Sequence, residues 1–204
     1  MNNIIMDRIE LDNEVINELN SNNLVIKNEV VININKHKFD NITISLTDNA
    51  HLVINKKYSE KEVTEKIMIN LDGISSRVDY KFSTITKNNQ SYIIDINHNN
   101  KNTVSNVINH GVVLNDSKLD FIVNSRVEKG NKKSVLNQTS KIIVMSKNNS
   151  RIEPNMYIDE FDVDARHAAT IGKFSKDEIF YLMTKGISYK ECEKLLIEGF
   201  LNIK

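Results

Sequence analysis

Cysteine is nearly missing from this chain of 204 residues. The single thiol, Cys192, excludes an internal disulfide and fits a reducing compartment, so a cytoplasmic protein is expected. Glycine is scarce, and its six residues are too scattered to form a loop that cradles phosphate. Net charge is absent as well. Lys+Arg and Asp+Glu number 27 each, so nothing draws the chain toward nucleic acid or an anionic membrane. No apolar run approaches the ~20 residues that cross a bilayer. The opening Met1-Asn-Asn-Ile-Ile-Met-Asp-Arg8 lacks the pattern of a secretion signal. Gly-x-Ser-x-Gly, His-Glu-x-x-His and Cys-x-x-Cys are all missing, and no catalytic triad suggests itself. A non-enzymatic protein is expected, without a protein-only zinc or cluster site of the usual kind.

Asparagine is plentiful, with 30 residues. An AT-rich genome explains the excess of Asn, Ile and Lys, and sequons such as Asn137-Gln-Thr139 are chance products of it. A structural benefit coexists, because Asn tolerates the left-handed backbone that tight corners require. Apolar residues make up 40%, enough for a core, and the length suits one domain or one domain with an appendage.

Residues 7–19 read equally as a short helix or an opening strand. From Leu24 onward the period is two, as in Val31-Ile-Asn-Ile-Asn35, Ile42-Thr-Ile-Ser-Leu46, Ile67-Met-Ile-Asn-Leu71, Val78-Asp-Tyr-Lys-Phe82 and Ile93-Ile-Asp-Ile96. Such alternation marks short, half-buried strands. Asp48-Asn-Ala50 and Lys87-Asn-Asn-Gln-Ser91 read as turns. Interior-type residues recur every 20–25 positions or so, within the range of stacked β repeats. On periodicity alone a solenoid and a sandwich stand level. Near the end the pattern changes. Ser175-Lys-Asp-Glu178 and Ser188-Tyr-Lys-Glu191 are capping boxes that open two helices, about 176–185 and 189–200. Gly186 suits the first C-terminus. Tyr189, Cys192, Leu195, Leu196 and Phe200 share one face of the second. These helices are expected to cover the exposed end of a solenoid.

The last forty residues carry a specific signal. Pro154, Ile158, Asp162, Val163, His167, Ala169, Thr170 and Gly172 are followed by Ile179, Phe180, Tyr181, Leu182, Gly186 and Ile187. This order resembles the C-terminal end of the SufB/SufD family, the scaffolds of the SUF iron–sulfur cluster assembly machinery. A weaker match runs back to about Ile94. The resemblance implies a right-handed parallel β-helix with a small helical cap, divided into a core (1–172) and a helical segment (173–204) that docks the SufC-type ABC ATPase. It implies a second scaffold partner, either a SufB-type chain or another copy of this one, with a transient Fe–S cluster in the assembled complex. His167 matches the family histidine at the subunit interface, where the cluster is thought to assemble, so it becomes the candidate metal and cluster residue. Phe180, Tyr181, Leu182, Gly186 and Ile187 become the candidate partner-binding residues.

Departures from the family pattern refine this expectation. Arg166 and Ala168 stand where SufB-type chains flank that histidine with glutamates, and 146–154 holds no cysteine. Clusters are usually held by thiolates. A SufD-like chain is therefore expected, one that lends a histidine and holds no cluster alone. The chain has roughly half the usual family length and lacks the N-terminal region. The rivals are a homodimeric scaffold of a reduced SUF system and a β-helix enzyme acting on carbohydrate. Taken without the resemblance, His167 reads as a hydrogen-bonded structural histidine. Cys192 reads as a buried small hydrophobe, His98 and His110 as loop histidines, Arg126, Glu128 and Lys129 as a solvated turn, and Gln138 as a coil-stabilising side chain.

Overall fold

A computed structural model of the chain describes residues 4–6, 10–11, 23–35, 39, 41–58, 61–145 and 149–203. Among the described residues, fourteen strands form two seven-stranded parallel sheets, with odd-numbered strands in one and even-numbered strands in the other. The chain alternates between the sheets, so each circuit adds one strand to each. This is a β-solenoid, as expected. The odd sheet runs through β3 (Asn23–Ile26), β5 (Ile42–Leu46), β7 (Val63–Leu71), β9 (Gln90–His98), β11 (Leu119–Val127) and β13 (Arg151–Ile158). The even sheet runs through β4 (Glu29–Asn35), β6 (His51–Tyr58), β8 (Arg77–Thr86), β10 (Val104–Val113), β12 (Ser134–Val144) and β14 (Val163–Gly172). Short strands β1 (Ile4–Met6) and β2 (Glu10–Leu11) start the two stacks. The rest of 7–19 lies outside the described residues.

Parallel register stacks each inward residue on its counterpart in the coil before. Leu24, Ile44, Ile69 and Ile96 form one such column, and Ile32, Ile54, Tyr80 and Val107 face it from the other sheet. All eight are buried. Outward positions carry amide ladders. Asn106 donates to Asp79 at 2.7 Å and Asn137 to Asn106 at 2.9 Å. Asn124 donates to Asp95 at 2.6 Å and Asn155 to Asn124 at 2.9 Å. These rungs also correct the expected repeat length. Ladder partners are 22 residues apart at Asn33–Asn55, 27 at Asn70–Asn97 and 31 at Asn124–Asn155, so the coils lengthen along the chain.

The corners explain part of the asparagine. Asn49, Ser75, Asn102 and Lys133 occupy the same corner of successive coils with φ of 58–59°. Each donates its N–H to a carbonyl one coil on, at Ile74, Lys101, Lys132 and Asp162. Behind them Ser76, Thr103 and Ser134 turn their hydroxyls back onto the carbonyls of Gly73, Asn100 and Asn131. At Gly73 the coils touch so closely that a Cβ would lie 2.0 Å from the Asp48 nitrogen.

A buried ion pair interrupts the apolar lumen. Lys56 and Glu65 both occupy inward positions and bond to each other, and Glu65 also accepts the Phe39 N–H at 2.8 Å. The ammonium lies 5.0–5.4 Å from the ring centres of Phe39, Phe82 and Tyr92. Burial draws the lysine pKa below its usual range while Glu65 opposes the shift.

The helices form as the capping boxes require. Helix α1 spans Lys176–Met183 and α2 spans Tyr189–Leu201, and both boxes are closed in both directions. Gly186 takes a φ of +82° between them. The first helix ends earlier than expected, with Thr184 as its cap. The placement of the pair departs from expectation. They pack on each other, and α2 leans on β10, two coils short of the open end at β14. The end itself stays uncovered.

Two substitutions test the corner. Gly73→Ala has nowhere to place its methyl and should destabilise the fold by about 2–4 kcal/mol. Lys133→Asn relieves a side chain ill suited to the left-handed region and should stabilise by about 0.5–1 kcal/mol. Thermal unfolding of the three proteins should rank Asn above Lys above the Ala variant.

Candidate functional site

The last coil has no coil after it, and its inward positions meet solvent. By register β14 turns Val163, Ala165, His167, Ala169 and Ile171 toward the lumen, because their partners Ser134, Leu136, Gln138, Ser140 and Ile142 are buried there. Across from them β13 offers Ile152, Pro154, Met156 and Ile158. Ile158 and Ile171 are 39% and 44% exposed, and Phe161, at the corner between the strands, is fully exposed. His167 is exposed at the centre of this surface. Arg166 beside it points outward and makes a two-pronged contact with Asp164 at 3.0 and 2.8 Å.

The lumen turns polar just below this mouth. His167 stacks on Gln138, which donates to Ser125 across the lumen at 2.8 Å. Asn109 donates to Ser140 in the next column at 3.2 Å. One coil deeper, His98 is buried, which corrects its reading as a loop histidine. Its Nδ1 lies 2.8 Å from the Thr103 hydroxyl and its Nε2 2.9 Å from that of Ser105. Thr103 passes its own proton to the Asn100 carbonyl. Nδ1–H therefore donates to Thr103, and Ser105 donates to Nε2.

The helical hairpin is the second candidate surface. Phe180 and Tyr181 are 61% and 63% exposed, while Leu182 and Ile187 are half-buried. Cys192 is buried in α2 with its sulfur 3.7 Å from the Ile187 carbonyl, a structural placement. His110 is no loop residue either. It sits on the outer face of β10 and stacks on Phe200. Arg126 belongs to β11 and lies over the Tyr157 ring at 5.3 Å, leaving Glu128 and Lys129 as the solvated turn. The open end gathers His167, and the hairpin gathers Phe180, Tyr181, Leu182, Gly186 and Ile187. Among the described residues no group of three or more His, Cys, Asp or Glu is placed to hold a metal ion, and no helix is long and apolar enough to cross a membrane.

The family model for the SufBD core domain of SUF-system FeS cluster assembly matches residues 19–200. The chain belongs to the SufB/SufD family. It is 32% identical to the iron–sulfur cluster assembly protein SufD of Bacillus subtilis (strain 168) over 135 residues, which is 65% of this chain and 31% of that one. A SufBD family protein of Mycobacterium tuberculosis H37Rv is 29% identical over 103 residues, 49% of this chain and 12% of its own. A Staphylococcus haemolyticus member is 26% identical over 107 residues, 51% and 23% respectively. The matches thus span about a third or less of these relatives' length.

Within this SufB/SufD chain, sequence reasoning missed Phe161, Tyr157 and Ile171. Phe161 sits in the acidic turn Asp159-Glu-Phe-Asp162, outside any strand period. An aromatic residue among carboxylates was the one available signal. Ile171 follows the period and faces the lumen in the coil that nothing covers, whereas Tyr157 lies on the outward face under Arg126.

The buried imidazole makes the fold of this SufB/SufD chain acid-sensitive. Burial lowers the His98 pKa from 6.5 to about 4. Between these values the unfolded chain binds a proton that the folded chain refuses. Its contribution is complete above pH 6.5 and is lost as pH falls toward 4, a change of the order of 3 kcal/mol. Denaturant titrations of wild type and His98→Asn from pH 7.5 to 4 should show the slope in the first and its loss in the second. Asp79 titrates in a separate window. Burial would raise its pKa, but hydrogen bonds from Arg77, Asn106 and His51 outweigh this and hold it at about 2.

Proposed function

We propose that this chain is a SufD-like, non-enzymatic scaffold subunit in iron–sulfur cluster assembly. Its open end receives a SufB-type scaffold and its hairpin a SufC-type ABC ATPase. The observation that carries the reading is the uncovered last coil, with apolar side chains set around His167. Strand edges and an exposed apolar end are normally paired or covered. A partner that continued the sheets would cover Ile158, Phe161 and Ile171 together and bring its own ligands to His167. A neutral imidazole is a good ligand for iron. Cluster binding also needs thiolates, and the one cysteine lies buried in the hairpin. The cluster is therefore cargo of the joint site, with this chain contributing one ligand and the partner the rest. The hairpin supports the second half of the reading, since exposed Phe180 and Tyr181 are the kind of aromatic anchor that dominates protein contacts.

Assembly is tested by co-purification from the native cell followed by sedimentation. Either a SufB-type partner or a second copy should occupy the end, and the identity of the co-purifying chain decides between heterodimer and homodimer. A monomer at micromolar concentration with the SufB-type partner present would sink the interface.

His167→Ala should change stability by no more than about 0.5 kcal/mol, because the side chain is exposed. In the assembled complex it should reduce cluster formation about tenfold or more, read from visible absorbance during reconstitution. Normal cluster formation by the folded variant would return His167 to a structural role. The isolated chain should hold no stoichiometric cluster.

Deleting residues 175–204 should abolish binding of the ATPase while the far-ultraviolet β signature survives. Unchanged affinity would move the docking surface onto the solenoid.

A further inference from the structure

The hairpin meets β10 at a contact between His110 and Phe200. His110 Nδ1–H donates to the Phe200 carbonyl at 2.7 Å, joining residues 90 apart. Its ring lies on the Phe200 ring with centroids 4.6 Å and planes 12° apart. Phe174, on the segment that leaves β14, meets Phe200 edge-on at 6.2 Å. A hydrogen bond and a stack on one side chain fix both the position and the rotation of a helix end. The first helix packs on the second rather than on a strand. Beyond Phe200 a groove of about 350 Å³ lies between Leu201–Ile203 and the outer face at Asn33, Asn55, Lys57 and Lys81. The hairpin is thus tied to β10 at Phe200, with room beside that contact.

That point is well placed. His110 pairs in register with Lys141, and Lys141 with Thr170 on the strand that carries His167. Only β12 separates the latched strand from the open end.

We propose that His110 is a positioning residue: it latches the hairpin to β10 and passes movement of the hairpin through β12 to β14. The transmission half rests on the reading of the hairpin as an ATPase-docking element, and the latch half does not. A partner that shifts the hairpin strains the His110–Phe200 contact first, and the rigid ladder of β10, β12 and β14 carries the displacement to the interface.

Hydrogen exchange of the purified full chain tests the latch without any partner. His110→Ala should speed exchange of amides in 176–201 at least tenfold while the core amides of β8 and β10 keep their protection. His110→Phe, which keeps the ring and loses the donor, should fall between Ala and wild type. Unchanged exchange in the hairpin of the Ala variant overturns the latch. Transmission is tested on the complex with a purified SufC-type ATPase, with and without ATP. Wild type should show an ATP-dependent change in exchange at 163–172, and His110→Ala should bind the ATPase with affinity within about twofold of wild type yet lose that change. A change that persists in the variant, or none in wild type, overturns transmission. Failure of the wild-type chain to bind the ATPase overturns the docking assignment and transmission together, and leaves the exchange result on the latch standing.

Discussion

In a parallel solenoid the backbone hydrogen bonds of a strand run to the coil before and the coil after, never to its own coil. This constraint governs the whole molecule. It forces inward side chains to stack in columns, so a position in one coil must suit its neighbours in two others. It forces the corners into one repeated geometry, visible in the left-handed Asn49, Ser75, Asn102 and Lys133. It also leaves the final coil with bonds that the chain cannot complete. The amide ladders share the same direction. Each later asparagine donates to the coil before, so the Oδ1 of Asn155 is left on the open side.

The lumen changes character along this axis. The early coils are mainly isoleucine and leucine around the Lys56–Glu65 pair, while β8 to β12 combine the Phe82–Tyr92–Phe121 ring cluster with buried His98, Ser105, Asn109, Ser125 and Gln138. Stability is thus concentrated where the stack is apolar, and hydrogen-bonded side chains occupy the part nearest the exposed face. The histidine at the mouth of this lumen rests on the amide of Gln138, with Val107 in the coil beneath. The feature that distinguishes this chain chemically sits where the fold runs out of coils.

The strands were legible because alternation is a strong local signal, and the helices because both capping boxes lie within four residues. Asparagine at corners was legible in kind. The coil lengths were not, since the residues that lengthen the later coils lie in turns such as 128–133 that carry no apolar period. His98 was misread because Asn99 and Asn100 follow it, although it keeps phase with Tyr92, Ile94 and Ile96 and so belongs inside. Lys56 keeps phase with Leu52 and Ile54 in the same way, and Glu65 with Ile67 and Ile69. Charged residues at inward positions were the available sign of a buried pair. The place of the hairpin was beyond reach, because a contact between residues 110 and 200 leaves no trace in either neighbourhood. Family resemblance singled out His167 and the hairpin's Phe180 and Tyr181 as candidates, while composition and period singled out neither.

A stack of similar coils has a particular hazard. One isoleucine column resembles the next, so a chain displaced by a whole coil would lose little apolar contact. The Lys56–Glu65 pair does not tolerate such a shift. Displacement would carry both charges together but would take Glu65 from the Phe39 N–H and the ammonium from the rings of Phe82 and Tyr92, leaving buried charges short of partners at a cost of several kcal/mol. The pair therefore acts as an alignment key, giving a nearly periodic molecule one position along its axis that fits only a single way.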